Sequence, residues 1–327
     1  MRYDDQDRES RNVEDRRGQG GFPFPGGRGV RIPIGGRGGF SITTLLILGA
    51  VMLFFGINPL DILSGGGGSG GGFQVPQMPR TEQAPRPTSN NNPFDIPGLP
   101  GSRQNAPSQP SESADEMGKF IKRVLADTED VWNRVFKSFG KSYNEPKLVL
   151  FTGATNTACG TGMSAMGPFY CPIDQKIYVD LGFYEQLKRR FQAPGDFAQA
   201  YVIAHEVGHH VQKLLGIADK VQSLKSRMSE RDSNALQVRM ELQADCLSGV
   251  WANLNDQLNN RLERGDIEEG LNAASAIGDD MIQRRTQGHI VPDAFTHGTS
   301  AQRVQWFRKG YEGGQMQVCD TFSQSSL

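Results

Sequence analysis

This chain has few cysteines, few histidines and almost no net charge. Each of these properties limits the class of protein and the kind of site that the sequence can form. The 327 residues include four cysteines and five histidines, and no two cysteines form a Cys-x-x-Cys pair. The formal net charge is −1, so no polyelectrolyte partner is implied and nucleic acid is not expected as a partner. No tandem repeat is visible, and all five histidines follow residue 200. Histidine chemistry is therefore confined to the C-terminal part of the chain.

The four cysteines are even in number and widely spaced, which favours two disulfides in an oxidising compartment. A Cys159–Cys171 bond would close a glycine-rich loop, and a Cys246–Cys319 bond would attach the C-terminus to a central helix. The alternative is four buried thiols in a cytosolic protein.

Glycine and proline are concentrated in the first 110 residues, which contain few apolar positions outside one run. This composition predicts a disordered cytoplasmic tail over residues 1–39 and a flexible Gly/Pro/Ser-rich linker over residues 61–112. The remaining residues, 113–327, are then the folded domain.

The apolar run between these two segments, residues 40–60, has the length and composition of a transmembrane helix. A buried core helix and a cleaved signal peptide are the alternatives, but glycine-rich flanks and a long preceding tail argue against them. Arg28, Arg31 and Arg37 precede the run, and Asp61 follows it. The positive-inside rule then predicts a single-pass protein of the bacterial inner membrane, with a cytoplasmic N-terminus and a periplasmic or otherwise extracytoplasmic catalytic domain.

The periodicity of residues 113–327 predicts an α+β domain that is mainly helical, with a small antiparallel or mixed sheet. The glycine-rich segment 153–168 is expected to be a loop that forms one wall of a cleft beside an edge strand. Predicted helices cover about 113–139, 182–191, 196–215, 233–258 and 266–285, with a short helix after residue 297; predicted strands cover 147–152, 169–172 and 176–181.

The segment Ala204-His-Glu-Val-Gly-His-His210 contains the pattern H-E-x-x-H within the predicted helix 196–215. Residues four apart lie on one face of a helix, so His205 and His209 can bind one metal ion together. Glu206 then lies beside whatever the metal holds. This is the arrangement of a zinc hydrolase, and it predicts one Zn²⁺ ion.

A hydrolytic zinc site usually has three protein ligands, so the helix must be joined by a residue from elsewhere. Glu241 and Asp245 lie four apart on one face of the predicted helix 233–258. We expect Glu241 to be the third ligand and Asp245 to accept a proton from a ligating imidazole. The reverse assignment is the alternative, as is a solvated helix face carrying both acids.

Three further residues are expected to take part in the chemistry. Glu206 would act as the general base for the zinc-bound water and then pass the proton to the leaving amine. His297 is the candidate for stabilising the oxyanion, with Arg303 holding or assisting it, although a loop histidine is more often a plain surface residue. His210 points away from the other two helix histidines and is not expected to bind the metal, and His289 has no informative context.

Four segments of the chain resemble the family of neutral zinc metallopeptidases of bacteria, and the tail and apolar run fit that family's usual layout. The segments are Phe151-Thr-Gly-Ala-Thr-Asn-Thr-Ala-Cys-Gly-Thr-Gly, Ala204-His-Glu-Val-Gly-His-His, Glu241-Leu-Gln-Ala-Asp-Cys and Thr296-His-Gly-Thr-Ser-Ala-Gln-Arg. The resemblance implies a zincin-like, membrane-anchored peptidase. A more distant similarity to membrane-associated gluzincins supports Glu241 as ligand, Asp245 as its neighbour, and His297 and Arg303 as site residues. This chain has Gly298 where those relatives usually have proline.

The sequence therefore predicts a membrane-anchored zinc metallopeptidase that cleaves extracytoplasmic proteins or peptides. One alternative is a catalytically silent, metal-stabilised binding or scaffold module at the membrane, although such a module would not need Glu206. A second alternative is a zinc amidase that acts on cell-wall peptides.

Overall fold

The computed structural model describes residues 1–18 and 112–323. The predicted transmembrane helix, residues 40–60, and the predicted linker up to residue 111 lie outside these ranges. Within the described ranges, none of the helices combines the length and the apolar character that crossing a bilayer requires.

The described part of the chain is an α+β structure dominated by helices, as the periodicity predicts. The helices are α1 (Glu112–Ser138), α2 (Gly182–Arg189), α3 (Asp196–Leu214), α4 (Ile217–Lys225), α5 (Glu230–Asn259), α6 (Asp266–Ala276), α7 (Asp279–Gln287) and α8 (Ser300–Gly313). The strands are β1 (Val13–Asp15), β2 (Lys147–Phe151), β3 (Ala154–Thr157), β4 (Gly160–Met163), β5 (Phe169–Cys171) and β6 (Lys176–Asp180).

The main sheet is mixed and has the strand order β1-β2-β6-β5. Strand β2 runs parallel to both β1 and β6, and β5 pairs antiparallel with β6. The central strands β2 and β6 are largely apolar and buried, as expected for strands covered on both faces. Strand β5 therefore forms one edge of this sheet, on the side where its Tyr170 contacts the helix α3.

Residues 1–18 are ordered, and the prediction of a disordered tail is wrong for them. Strand β1 adds to the main sheet, and Ser10 is buried against the helix α1. The composition of this segment is too polar to predict a core, but a strand needs only a partner edge to satisfy its backbone. That edge is supplied by β2, more than 130 residues away in sequence.

Helices α3, α5 and α8 form the centre of the helical layer, and glycines allow α5 and α8 to touch. A Cβ atom at Gly249 would lie 2.1 Å from the carbonyl oxygen of Phe307, and one at Gly310 would lie 1.9 Å from that of Cys246. Any side chain at either position would push the two helices apart. This close contact places the second half of α8 beside the middle of α5.

Two other parts of the chain differ from the prediction. The expected glycine-rich loop contains the hairpin β3–β4, in which Gly162 leaves room for the ring of Phe169, 2.4 Å from where a Cβ would stand. The expected single helix 266–285 is two helices, α6 and α7. The chain bends at Gly278 because the backbone of Ser300 packs there, with its amide nitrogen 2.4 Å from the position of a Cβ.

Both predicted disulfides are present. Cys159 is bonded to Cys171, which joins the tip of the β3–β4 hairpin to the edge strand β5. Cys246 is bonded to Cys319, which joins α5 to the C-terminal segment.

Candidate metal centre

Helix α3 presents His205 and His209 on the same face, with ring centroids 4.8 Å apart. The helix follows Gly195, and its positions Phe197, Ile203, Val207 and Val211 are buried in the core. Because the apolar stripe and the histidine pair are on different sides of the helix, α3 can be packed tightly and still face a cleft.

Glu241 of α5 meets the two histidines. Its Oε2 atom lies 3.2 Å from Nε2 of His205 and 3.3 Å from Nε2 of His209. The other carboxylate oxygen accepts a hydrogen bond from Gln237, 2.8 Å away, which fixes the rotation of the carboxylate. The three ligand atoms lie within 4.8 Å of one another, so these residues could hold one metal ion.

The crossing of α3 and α5 is close because the H-E-x-x-H segment contains a glycine. A Cβ atom at Gly208 would lie 3.1 Å from the Cα atom of Ala244. Gly208 sits between the two histidines that face the cleft, and Ala244 sits between Glu241 and Asp245 on the facing helix. The short contact therefore brings the four functional side chains into range of one another.

Acceptors on the far side of each imidazole determine which nitrogen faces the cluster. Nδ1 of His205 lies 2.8 Å from Oδ1 of Asp245, and Nδ1 of His209 lies 2.9 Å from Oε1 of Gln212. An ionised carboxylate only accepts, so Nδ1 of His205 donates and its Nε2 lone pair points to the cluster. The amide of Gln212 is itself oriented, because its Nε2 donates to the carbonyl oxygen of Met240 at 2.7 Å.

Asp245 is fully buried, and besides His205 it contacts Arg303 and Tyr201. Burial opposes its ionisation, but Arg303 and His205 outweigh that cost and lower the pKa of Asp245 to about 2. Arg303 donates from Nε to Oδ2 at 2.8 Å and from Nη2 to Oδ1 at 2.9 Å, a forked pair. Tyr201 donates to the same carboxylate at 2.5 Å. The structure thus binds Arg303 to Asp245, and Arg303 also contributes to the wall of the cavity that includes His297.

Glu206 lies in the wall of a cavity of about 390 Å³ that also includes His205, His209 and Glu241. The residue is only 7% exposed. Burial raises the pKa of Glu206, while the charges of the nearby histidines act in the opposite direction. A carboxylate with a raised pKa beside a metal-binding site is suited to exchanging a proton near neutral pH.

His297 reaches the same cavity from the loop before α8, and Asp279 holds it there. Nδ1 of His297 lies 3.2 Å from Oδ1 of Asp279, and its backbone amide donates to Oδ2 at 2.6 Å. The amides of Thr296 and Gly298 donate to the same oxygen at 2.7 and 3.1 Å. His297 is half exposed, and its pKa is raised because Asp279 and Glu241 favour the cation against the partial loss of water around the ring.

Sequence reasoning missed four residues that support the site: Tyr201, Gln212, Gln237 and Asp279. Gln212 stands three positions after His209, a spacing at which helical side chains meet, so it could have been found. Tyr201 and Gln237 stand four positions before His205 and Glu241 on the same helices and carry the same kind of signal, whereas Asp279 carries none. His210 faces away from the cluster, as predicted, and lies near the hydroxyl of Tyr170 and the carbonyl oxygen of Asn144.

The donor atoms suit a hydrolytic zinc site. Two imidazole nitrogens and one carboxylate oxygen are a common ligand set for such sites, which leave a fourth position for water or substrate. The orienting acceptors behind both imidazoles are also typical of zinc centres. The residues present therefore fit a single Zn²⁺ ion.

Comparison with known proteins places these features in a family. The profile of the family described as "Putative neutral zinc metallopeptidase" matches residues 1–95 and 95–322. The uncharacterized protein YpfJ of Escherichia coli strain K12 is 46% identical over 318 residues, covering 97% of this chain and 98% of that protein. The uncharacterized protein Rv2575 of Mycobacterium tuberculosis strain H37Rv is 39% identical over 222 residues, covering 65% of this chain and 74% of that protein. No solved structure matches. With its profile matched over nearly the whole length, this chain belongs to the neutral zinc metallopeptidase family.

Proposed function

We propose that this protein is a zinc-dependent peptidase that hydrolyses peptide bonds in proteins or peptides. The observation that carries the proposal is the convergence of His205, His209 and Glu241 on one point beside Glu206. A purely structural zinc site is normally closed by four protein ligands and needs no adjacent free carboxylate. The family description and the donor set support the same reading.

Zn²⁺ bound by these three residues would polarise a water molecule and the substrate carbonyl. Glu206 accepts a proton from the attacking water at its carboxylate and later transfers it to the departing amine nitrogen. Burial helps in this role, because the raised pKa of Glu206 makes its protonated form accessible during the cycle.

His297 is proposed to stabilise the oxyanion that develops on the substrate carbonyl. Its Nδ1 is held by Asp279, so Nε2 is the nitrogen left to face the substrate. Arg303 acts differently. Its guanidinium is bound to Asp245 and Tyr201, so we assign it to positioning Asp245, and through Asp245 the ring of His205.

The cavity favours a peptide with a bulky apolar side chain near the bond to be cut. Its wall combines the site residues with aromatic and aliphatic side chains, which are Met166, Phe169, Phe183, Phe191, Val202, Ile277 and Ile282. The edge strand β5 contributes Phe169 and Tyr170 to this wall, and its outer edge has no strand partner among the described residues. An extended substrate could add to that edge by backbone hydrogen bonding.

We further propose that the catalytic domain works outside the cytoplasm. Its four cysteines form two disulfides, and such bonds persist in oxidising compartments. Anchoring by residues 40–60 remains a prediction from the apolar sequence, since those residues lie outside the described ranges.

The test compares wild-type protein with the variant Glu206→Gln, which keeps the size and polarity of the side chain but cannot accept the proton. Zinc content is measured by atomic emission, and cleavage is measured on a denatured protein mixture by mass spectrometry of new termini. We expect equal zinc content and loss of cleavage in the variant. Glu185→Gln, on the exposed part of α2, is the matched control and should retain full cleavage.

Hydrolysis that survives Glu206→Gln would contradict the proposed mechanism. Zinc bound by a wild-type protein that cleaves no protein or peptide would favour the scaffold alternative. Release of amino acids from peptidoglycan fragments, without cleavage of denatured proteins, would favour the amidase.

A further inference from the structure

The first 18 residues are built into the catalytic domain, and their backbone is part of its main sheet. The amide of Leu148 donates to the carbonyl oxygen of Asn12 at 2.8 Å, and the amide of Arg16 donates to that of Leu150 at 2.8 Å. Strand β1 lies beside β2 in parallel register from Val13 to Asp15. In the sheet, the next strand beside β2 is β6. The C-terminal end of β6 leads to α2, which contributes to the cavity wall.

Buried carboxylates of the domain depend on this segment for their partners. Glu129 is only 1% exposed, and it receives Nη1 of Arg8 at 2.8 Å and Nδ2 of Asn12 at 2.9 Å, together with the hydroxyl of Ser10. Asp127, which is 3% exposed, receives the hydroxyl of Tyr3 at 2.8 Å. Without residues 1–18 these carboxylates would lose partners at a position where an unpaired charge is costly. The domain is therefore complete only with the segment in place.

The two ends of the intervening chain leave the domain close together. Nη2 of Arg17 lies 3.7 Å from Oδ1 of Asp115, although 98 positions separate these residues in the numbering (115 minus 17). The same guanidinium packs against Gly118, one turn further along α1. The described residues on either side of the range 19–111 thus lie at one place on one body.

A single membrane crossing between residues 18 and 112 is incompatible with this arrangement. The hydrocarbon core of a bilayer is about 30 Å thick, whereas paired strands lie about 4.8 Å apart. One crossing by residues 40–60 would place β1 and β2 on opposite faces of the membrane. Exchange of N-terminal segments between two copies would not allow β1 to pair with β2 either. In every copy, residues 1–18 would lie on the face of the membrane opposite to β2.

We infer that residues 1–18 and the folded domain, residues 112–323, lie on the same side of the membrane, which excludes a single crossing of the membrane between them. This replaces the arrangement that the arginines before the run suggest, with a cytoplasmic N-terminus and a catalytic domain outside. The inference does not depend on the proposed peptidase activity, since it rests only on the docking of residues 1–18.

Thiol labelling in intact cells tests the sidedness. Two full-length variants each carry one added cysteine, Asp5→Cys or Arg231→Cys, at side chains that are 102% and 76% exposed. All four native cysteines are in disulfides and stay silent. Each variant is treated with a membrane-impermeant maleimide before and after permeabilisation, the latter giving full labelling. We expect residues 5 and 231 to react alike in intact cells. Labelling of residue 231 with protection of residue 5 would overturn the inference.

Hydrogen–deuterium exchange on the purified full-length protein tests the docking itself. The amides of Arg16 and Leu148 are hydrogen-bonded across the β1–β2 pair, so we expect peptides covering both to exchange slowly. Complete exchange of residues 12–16 within seconds, while β6 remains protected, would overturn the inference even if both thiols were labelled alike.

Discussion

Nδ1 of His205 lies 2.8 Å from Oδ1 of Asp245, and this contact joins the candidate metal site to a fully buried ion pair. On one side of the contact, His205 turns Nε2 toward Glu241. On the other side, Asp245 is held by Arg303 and Tyr201. The orientation of a metal-binding imidazole is therefore determined by residues from α3, α5 and α8 at once.

Replacing the carboxylate of Asp245 should weaken zinc binding without removing a ligand. In Asp245→Asn the acceptor for His205 is a neutral amide, so the imidazole is less basic and less firmly oriented. Loss of such a partner typically lowers metal affinity about 10- to 100-fold. Competition with a zinc chelator measures the change. Asp232→Asn, an exposed acid on the same helix, should leave the affinity unchanged, and equal affinity in the two variants would contradict this role for Asp245.

Arg303 should matter more for stability than for the chemical step. Arg303→Met leaves the Asp245 carboxylate buried with one charged partner fewer, and breaking such a pair costs about 3–5 kcal/mol of unfolding free energy. Urea unfolding of the zinc-free proteins measures the cost. Arg308→Met, on the exposed face of the same helix, should change the free energy by less than about 0.5 kcal/mol. A variant of Arg303 with normal stability and no cleavage would instead indicate contact with the substrate.

We expect His297 and Asp279 to contribute to kcat through the same interaction, because Asp279 orients the imidazole of His297. His297→Ala should lower kcat about 10²- to 10³-fold, the usual cost of removing one oxyanion donor, with zinc content unchanged. Asp279→Asn should lower kcat by a smaller factor, because the amide still accepts from the loop backbone but no longer attracts the imidazolium. The double variant should be no worse than His297→Ala alone. Multiplicative losses in the double variant would show that Asp279 acts independently of His297.

Glu14 should make the docking of β1 dependent on pH. Hydrogen bonds from Lys176 and Arg16 lower its pKa from 4.5 to about 2. Because the pKa is lower in the folded state, the ionised carboxylate stabilises the docked segment above pH 4.5, and this contribution is lost as the pH falls toward 2. Glu14→Gln should therefore exchange amide hydrogens of β1 faster than wild type at pH 7. The ratio of the two rates should approach one near pH 2, and a ratio that is constant across this range would contradict the assignment.

Local patterns were sufficient for the elements that carry the site. The spacing of His205 and His209 is a property of any helix, and the apolar periodicity of 196–215 predicts that helix to within one residue of its observed end. A continuous apolar run predicts β2, apolar alternation predicts β6, and the turn at Asp174-Gln175 places β5 before β6. The hairpin β3–β4 was missed because its glycines and threonines show no apolar alternation. Helix α4 was missed although Ile217, Val221 and Leu224 recur in it at helical spacing.

The assignment of Glu241 as the third ligand could not be made from local sequence patterns alone. The pair Glu241 and Asp245 could be read from the sequence, but the assignment of one to the cluster and the other to the far side of His205 was open. The close crossing at Gly208 and Ala244 decides it, since Glu241 meets the Nε2 atoms while Asp245 meets Nδ1. Asp279 could not be inferred, because its partners are backbone amides of a loop that only folding brings near.

The sequence by itself determined the helix with its two histidines and adjacent glutamate and the mainly helical α+β class, because each depends on short-range periodicity. The even count of cysteines favoured two disulfides but did not determine which cysteines pair. Only the tertiary structure decided which carboxylate completes the cluster and that Arg303 serves Asp245. It also decided that residues 1–18 belong to the domain that carries the candidate metal site. All three depend on contacts between segments distant in sequence, where helix crossings, buried charge pairing and a shared sheet edge determine the outcome.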